Sequence, residues 1–168
     1  MMLAANALRT MVVRDTLKQL GDWSIAAENL LVGTAIQESG LGQNLKSGRF
    51  LGIYHISPQT HQAVWDKYLI DQPDLASHIR GLAGQRSFLN NPHQELTANL
   101  NYATAIAWMV YKRHNLLLPE DGDIVALAKI WHRYFHAKAS ASVADFVDSY
   151  QLLAGFEYEI ESEDAIAA

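Results

Sequence analysis

Apolar positions recur at helical spacing in one stretch after another, and the breaks fall at glycines, prolines and capping side chains. Residues 3–20 form an amphipathic stretch that ends at Gly21, a natural helix C-terminus. Asp22 or Ser24 caps a second helix over residues 25–38. Its middle, Leu30-Leu31-Val32-Gly33-Thr34-Ala35-Ile36, is apolar almost all round. That pattern predicts a helix inside the domain, not one lying on its surface. Gly40 and Gly42 end it.

Between residues 40 and 57 the helical pattern stops. The run Phe50-Leu51-Gly52-Ile53-Tyr54-His55-Ile56 is too short and glycine-rich for a helix, so it predicts a loop with one or two short extended pieces. Ser57-Pro58 starts the next helix, serine as N-cap and proline at the first position. A short helix follows over residues 73–82, before a loop around 84–90. Asn91-Pro92-His93-Gln94 predicts a further start, with Leu96, Leu100, Ala103, Ala107 and Val110 along one face. Asp121-Gly122-Asp123 opens a helix whose stripe is Ile124, Leu127, Ala128, Trp131 and Phe135. Ser142 and Asp145 form a capping box for a last helix, with Val143, Phe146, Val147 and Tyr150 facing inward.

Only the end of the chain alternates strictly, in Phe156-Glu157-Tyr158-Glu159-Ile160-Glu161. This is either a solvated acidic tail or a strand that joins a partner's sheet edge, with Phe156, Tyr158 and Ile160 on one face. There is no internal repeat and no linker. The expectation is one mainly α domain over residues 1–154, with a buried central helix, a short β-hairpin or extended segment, and an acidic tail at 155–168.

Composition narrows the chemistry. Of 168 residues, 49% are hydrophobic and 18% charged, which fits a packed core and argues against disorder. The absence of cysteine excludes disulfides, thiol chemistry and cysteine-ligated metals. Arg9 and Arg14 interrupt the N-terminal apolar residues, so neither a signal peptide nor a membrane span fits there. A net charge of −5 leaves no general nucleic-acid footprint and opposes long-range attraction to acidic wall polymers. The balance points to a protein held in place by partners.

Glu38 is the main candidate for acid chemistry. Burial at the end of an apolar helix and the negative end of the helix dipole both disfavour its charged form. An acid that must hold a proton near neutral pH needs that environment. The plainer reading is an ordinary solvated glutamate at a helix end. His132 and His136 lie four apart on one helix, but they flank a core stripe without an accompanying acidic ligand and read as structural histidines; no metal or other cofactor is expected. Trp23, Trp65, Trp108 and Trp131 read mostly as core, and Tyr54 is the aromatic best suited to line a cleft.

The segments Ala35-Ile36-Gln37-Glu38-Ser39-Gly40 and Gly52-Ile53-Tyr54-His55-Ile56-Ser57-Pro58-Gln59-Thr60 resemble the lytic transglycosylase family of lysozyme-like folds. In that family a Glu-Ser pair closes the buried helix, a Gly-Leu-Met-Gln-Ile-type strand runs into a Pro-x-Thr helix start, and an Ala-Tyr-Asn-type motif sits on a later helix. The best match to the last is Tyr134-Phe135-His136-Ala137. The resemblance covers roughly residues 22–150, is closest over residues 27–65, and looks most like phage virion-associated members.

The resemblance implies a lysozyme-like fold in which Glu38 serves as general acid and then base. Ser39 would help fix the substrate or the carboxylate, and Gly52, Tyr54, His55, Tyr134 and His136 would line the sugar cleft. One carboxylic acid suffices where the sugar's own groups replace the second. The implied activity is cleavage of the peptidoglycan strand between N-acetylmuramic acid and N-acetylglucosamine. The implied location is the virion, on a tail or baseplate, after synthesis in the host cytoplasm. Two departures stand out. His55 replaces the strand motif's glutamine, and the Tyr-Asn pair appears as Phe135-His136, or as Tyr134-Phe135 in the neighbouring register. They open a second reading, a structural tail or baseplate protein with a degraded site, bound to its neighbours through residues 155–168.

Overall fold

The computed structural model describes residues 4–120, 122–135 and 140–155, and it is mainly helical. The first amphipathic stretch comprises α1 (Ala5–Leu8), a π-helical turn (Arg9–Val13) and α2 (Arg14–Gln19). Leu8, Val13 and Leu17 are buried along it, and Gly21 follows with φ +74°.

The central element is α3 (Ile25–Ser39). The Ser24 hydroxyl accepts from the Ala27 amide at 3.0 Å, which settles the choice of N-cap. Gly40 ends the helix in the left-handed region at φ 59°, where a side chain would be strained. From residue 26 to 36 every position except Asn29 is buried, as the all-round apolar pattern demands.

After α3 the chain forms a small antiparallel hairpin, β1 (Lys46–Ser47) and β2 (Phe50–Leu51), with Lys46 opposite Leu51 and Ser47 opposite Phe50. Leu51 also bridges Ile56, which folds the rest of the loop back over the hairpin. Ser57 caps α4 (Pro58–Lys67) by accepting from the Thr60 amide at 3.1 Å. A 3-10 turn (Leu69–Asp71), α5 (Pro73–Leu82) and α6 (Gln85–Asn90) follow.

The helix expected from Asn91 onward is two helices. A 3-10 turn (Pro92–Gln94) leads into α7 (Glu95–Ala98), and the chain breaks at Asn99 before α8 (Leu100–Lys112). Asn99 is extended at φ −129°, ψ 101°, and its side chain accepts from the Tyr102 amide while donating to Leu82 O at 2.8 Å and Glu95 Oε2 at 2.9 Å. The side chain thus satisfies two neighbouring segments and starts a new helix there. Beyond it, α8 is not striped. All residues from 102 to 111 are buried, so α8 is a second inner helix lying against α3.

Asp123 caps α9 (Ile124–Tyr134), on which Leu127, Ala128 and Trp131 are buried while Ile124 and the following Phe135 are half-buried. The capping box of Ser142 and Asp145 is present at the start of α10 (Val143–Tyr150), which buries Phe146 and half-buries Val143, Val147 and Tyr150. Helices α9 and α10 pack on each other and on α3, and a π-helical turn (Gln151–Gly155) follows. The alternating segment from Phe156, together with Asp121, His136 and Ala137, lies outside the described residues. Among the described residues no helix is long and apolar enough to cross a membrane.

Candidate functional site

Helix α3 delivers Glu38 to the edge of the core in its last turn, where the residue is half-buried. Its Oε1 accepts a hydrogen bond from Trp131 Nε1 at 2.9 Å, across 93 positions of sequence. Trp131 has no exposed surface. Behind this contact, Tyr111 of α8 is fully buried, and its hydroxyl pairs with Thr34 Oγ1 at 2.8 Å. Burial pushes the Tyr111 phenol well above its ordinary range, the Thr34 contact offsets this in part, and the negative charge of Glu38 adds to the rise. Phe135 stacks on Tyr111 with ring centroids 5.1 Å apart. The carboxyl therefore accepts from an aromatic side chain of α9, and its charge is felt at Tyr111 of α8.

The four loop residues expected at a sugar cleft are differently placed. The Ser39 hydroxyl donates to Ile53 O at 2.6 Å and Ala35 O at 3.2 Å, and accepts from the Gly42 amide at 3.0 Å. It fixes the loop to the helix end that carries Glu38. Gly52 has φ +76°, and a Cβ there would stand 1.8 Å from the Leu96 carbonyl oxygen, so glycine is required by a close backbone approach. Tyr54 does not line a cleft. It is fully buried with its hydroxyl on Thr104 Oγ1 at 2.9 Å, because the turn after Gly52 aims this side chain at α8. His55 sits at φ 50° with 5% of its surface exposed. Its Nε2 lies 2.6 Å from the Asn44 carbonyl, so that nitrogen carries a proton and donates. It holds the hairpin loop together.

On α9, Tyr134 packs beside His114 at 4.8 Å between ring centroids and under the Arg133 guanidinium. With Leu116, Lys129 and Ile130 it borders a surface depression of about 390 Å³. The described contact from α9 to Glu38 is made one turn earlier, by Trp131. His132 is exposed, and His136 lies outside the described residues. Among the described residues no three histidine, aspartate or glutamate side chains converge as a metal site would require.

Sequence reasoning placed Trp131 in the core and missed its polar end. An indole N–H is a donor that a buried tryptophan must satisfy, and that rule is the signal that pointed to an acceptor nearby. All four tryptophans donate, the exposed Trp23 included. Trp23 donates to Glu28, Trp65 to Tyr102, Trp108 to Asp22 and Trp131 to Glu38.

Two further polar clusters were also missed. Glu28 is buried at the first turn of α3, where Arg14 Nε and Nη2 each donate at 2.9 Å, Arg9 at 3.3 Å and Trp23 at 2.7 Å. Burial alone would raise its carboxyl; the hydrogen bonds from Arg14, Trp23 and Arg9, with the charge of Arg14, outweigh that and hold it below the usual range. On α4, His61 lies 2.9 Å from His93 and 2.7 Å from the Tyr102 hydroxyl, which also accepts from Trp65. Burial, with the charge of His93 adding to it, pushes His61 down to about 4.

Compared with known proteins, the chain matches no protein-family model, no curated protein and no solved structure.

Proposed function

We propose that the protein cleaves peptidoglycan glycan strands with Glu38 as its single acid, as a lytic transglycosylase or muramidase of lysozyme-like fold carried on a phage virion. The observation that carries this reading is the placement of Glu38. A half-buried carboxyl at the end of the central helix accepts a hydrogen bond from Trp131 and stands beside the loop that Ser39 secures. In the proposed reaction Glu38 gives its proton to the glycosidic oxygen as the bond to the anomeric carbon breaks. The leaving sugar departs with that proton as a hydroxyl. A water or a hydroxyl of the retained sugar then bonds to the anomeric carbon, and its proton returns to the Glu38 carboxylate.

A second reading is a lysozyme-fold component of a phage tail or baseplate that has lost catalysis. Tyr54 and His55 favour it, since both side chains are turned inward and occupied by protein partners. Residues 155–168 would then serve partner binding. The two readings part in one experiment, incubation of purified peptidoglycan with the wild-type chain and with Glu38→Gln. Released fragments that vanish with the variant support the enzyme, and anhydro or reducing ends identify the attacking hydroxyl. A folded wild-type protein that releases nothing supports the structural component.

A further inference from the structure

One polar cluster outside the candidate site is ordered in a single direction. The Trp65 indole donates to the Tyr102 hydroxyl oxygen at 2.9 Å. An indole nitrogen cannot accept, so the Tyr102 proton must go elsewhere. Tyr102 is buried, and its hydroxyl meets His61 Nε2 at 2.7 Å. A neutral imidazole that accepts at Nε2 carries its proton on Nδ1. His61 Nδ1 lies 2.9 Å from His93 Nδ1, which is therefore the bare, accepting nitrogen, and the His93 proton sits on Nε2. The reverse order would leave the buried Tyr102 proton without an acceptor. The bonds thus run from α4 to α8, back to α4, and out to the 3-10 turn at Pro92–Gln94.

We propose that the His61–His93 pair is a proton-operated latch that ties the Pro92–Gln94 turn to α4 when neutral and releases it when His93 takes up one proton. His61 is closed off from solvent and His93 is half-buried, so a proton from solvent arrives at His93. Once His93 Nδ1 is protonated, two N–H groups face each other. To keep the contact, His61 must carry its own proton on Nε2 instead, and the Tyr102 hydroxyl then has no acceptor. The closed form would also hold the new charge beside Trp65, Phe88 and Pro92, which with the two histidines and Gln62 wall a recess of about 380 Å³. Opening returns that charge to water and leaves the bonds from Trp65 to Tyr102 and from Tyr102 to His61 intact.

The charged and titratable groups around the pair lie on four helices. Arg80 of α5 stands over the Phe88 ring at 4.3 Å, and its charge and that of Glu95 of α7 are felt at Tyr102 of α8. Burial would raise the Glu95 carboxyl, but bonds from Ser87, Gly84 and Asn99 outweigh it and hold it below the usual range. Burial pushes the Tyr102 phenol up, away from the acid range. On α4, Asp66 accepts from Gln62 at 3.2 Å beside the recess. Histidine is the side chain whose charge ordinarily changes between about pH 8 and about pH 5.5.

NMR of the full chain tests the latch. At about pH 8 the imidazole nitrogens are expected to show the proton on Nδ1 of His61 and on Nε2 of His93. The Gln94 and Glu95 amides, which bond back to Asn91 and Pro92, report on the turn. Between about pH 8 and about pH 5.5 their hydrogen-exchange protection is expected to fall about tenfold relative to that of the α3 amides, the scale of one hydrogen bond. His93→Asn offers an oxygen in place of Nδ1 and takes up no proton, so it is expected to abolish that difference. A His61 proton on Nε2 at about pH 8, or a turn whose protection falls only in step with α3, overturns the latch. Both wild-type measurements decide the matter even where His93→Asn folds poorly. Neither depends on glycan cleavage, so failure of the latch and failure of the catalytic reading are separate results.

Discussion

Helix α3 carries a glutamate near each end, and the two are treated in opposite ways. Glu28 lies in the first turn, where the helix dipole favours a negative charge, and it is gripped by Arg14 and Arg9 as well as by Trp23. Glu38 lies in the last turn, where the dipole opposes a charge, and its described donor is the neutral indole of Trp131. Glu28 is the more buried of the two, and its donors nevertheless hold it below the usual carboxylate range. Burial alone therefore does not mark an acid. The identity of the donors and the end of the helix set the charge balance around a buried carboxylate.

The contrast can be broken at either end. The largest expected effect is on activity. Glu38→Gln keeps an acceptor for Trp131 but removes the proposed proton donor, and the proposed glycan-strand cleavage should fall by at least about a hundredfold with little change in Tm. Release of soluble fragments measures the first and thermal unfolding the second. At the other end, Glu28→Ala strips Arg14, Arg9 and Trp23 of a shared acceptor and should lower the unfolding free energy by about 3 kcal/mol. Urea denaturation gives that number directly.

Acid sharpens the comparison further. His61 is held near 4 in the folded chain against an ordinary 6.5, so the unfolded chain binds more protons between these values. Its contribution is complete above about pH 6.5 and is lost as pH falls toward 4, about 3 kcal/mol in all. Glu28 is depressed in the folded chain. Its contribution is present above the unfolded value of 4.5 and is lost as pH falls below that through the lower folded value. Unfolding free energies measured against pH should therefore drop in two successive ranges. His61→Gln is expected to flatten the upper one and Glu28→Gln the lower one. The smallest effect is at the cap. Ser24→Ala should cost about 1 kcal/mol by freeing the Ala27 amide, measured by the same denaturation.

The helix starts were legible because their signals are local. Ser24, Ser57 with Pro58, Asp123, and Ser142 with Asp145 each cap the element that follows them. The break at Asn99 was not, because its side chain answers to Leu82 and Glu95, and the first of these lies 17 residues away. Position was also easier to read than direction. The chain's pattern put Glu38 at the end of a buried helix, but the inward aim of Tyr54 depends on the positive φ of Gly52 and His55 on either side of it. The donor to Glu38 was the least legible feature, since the partners are joined only when α3 and α9 pack.

The π-helical turn near the N-terminus has a bearing on how the chain tolerates change. Leu8 and Val13 are both buried, and Arg9 and Arg14 both reach Glu28, although each pair is five residues apart. In an α-helix residues so spaced point about 140° away from each other. The wide turn absorbs one residue and brings both pairs back into line. The helix therefore holds a spare position, and Met11, exposed within the turn, is the natural one to remove. Its deletion should leave an ordinary α-helix with both pairs four apart and still aligned, retaining the wild-type Tm to within a few degrees. The same deletion inside α3 would rotate every later side chain of that helix by about 100°.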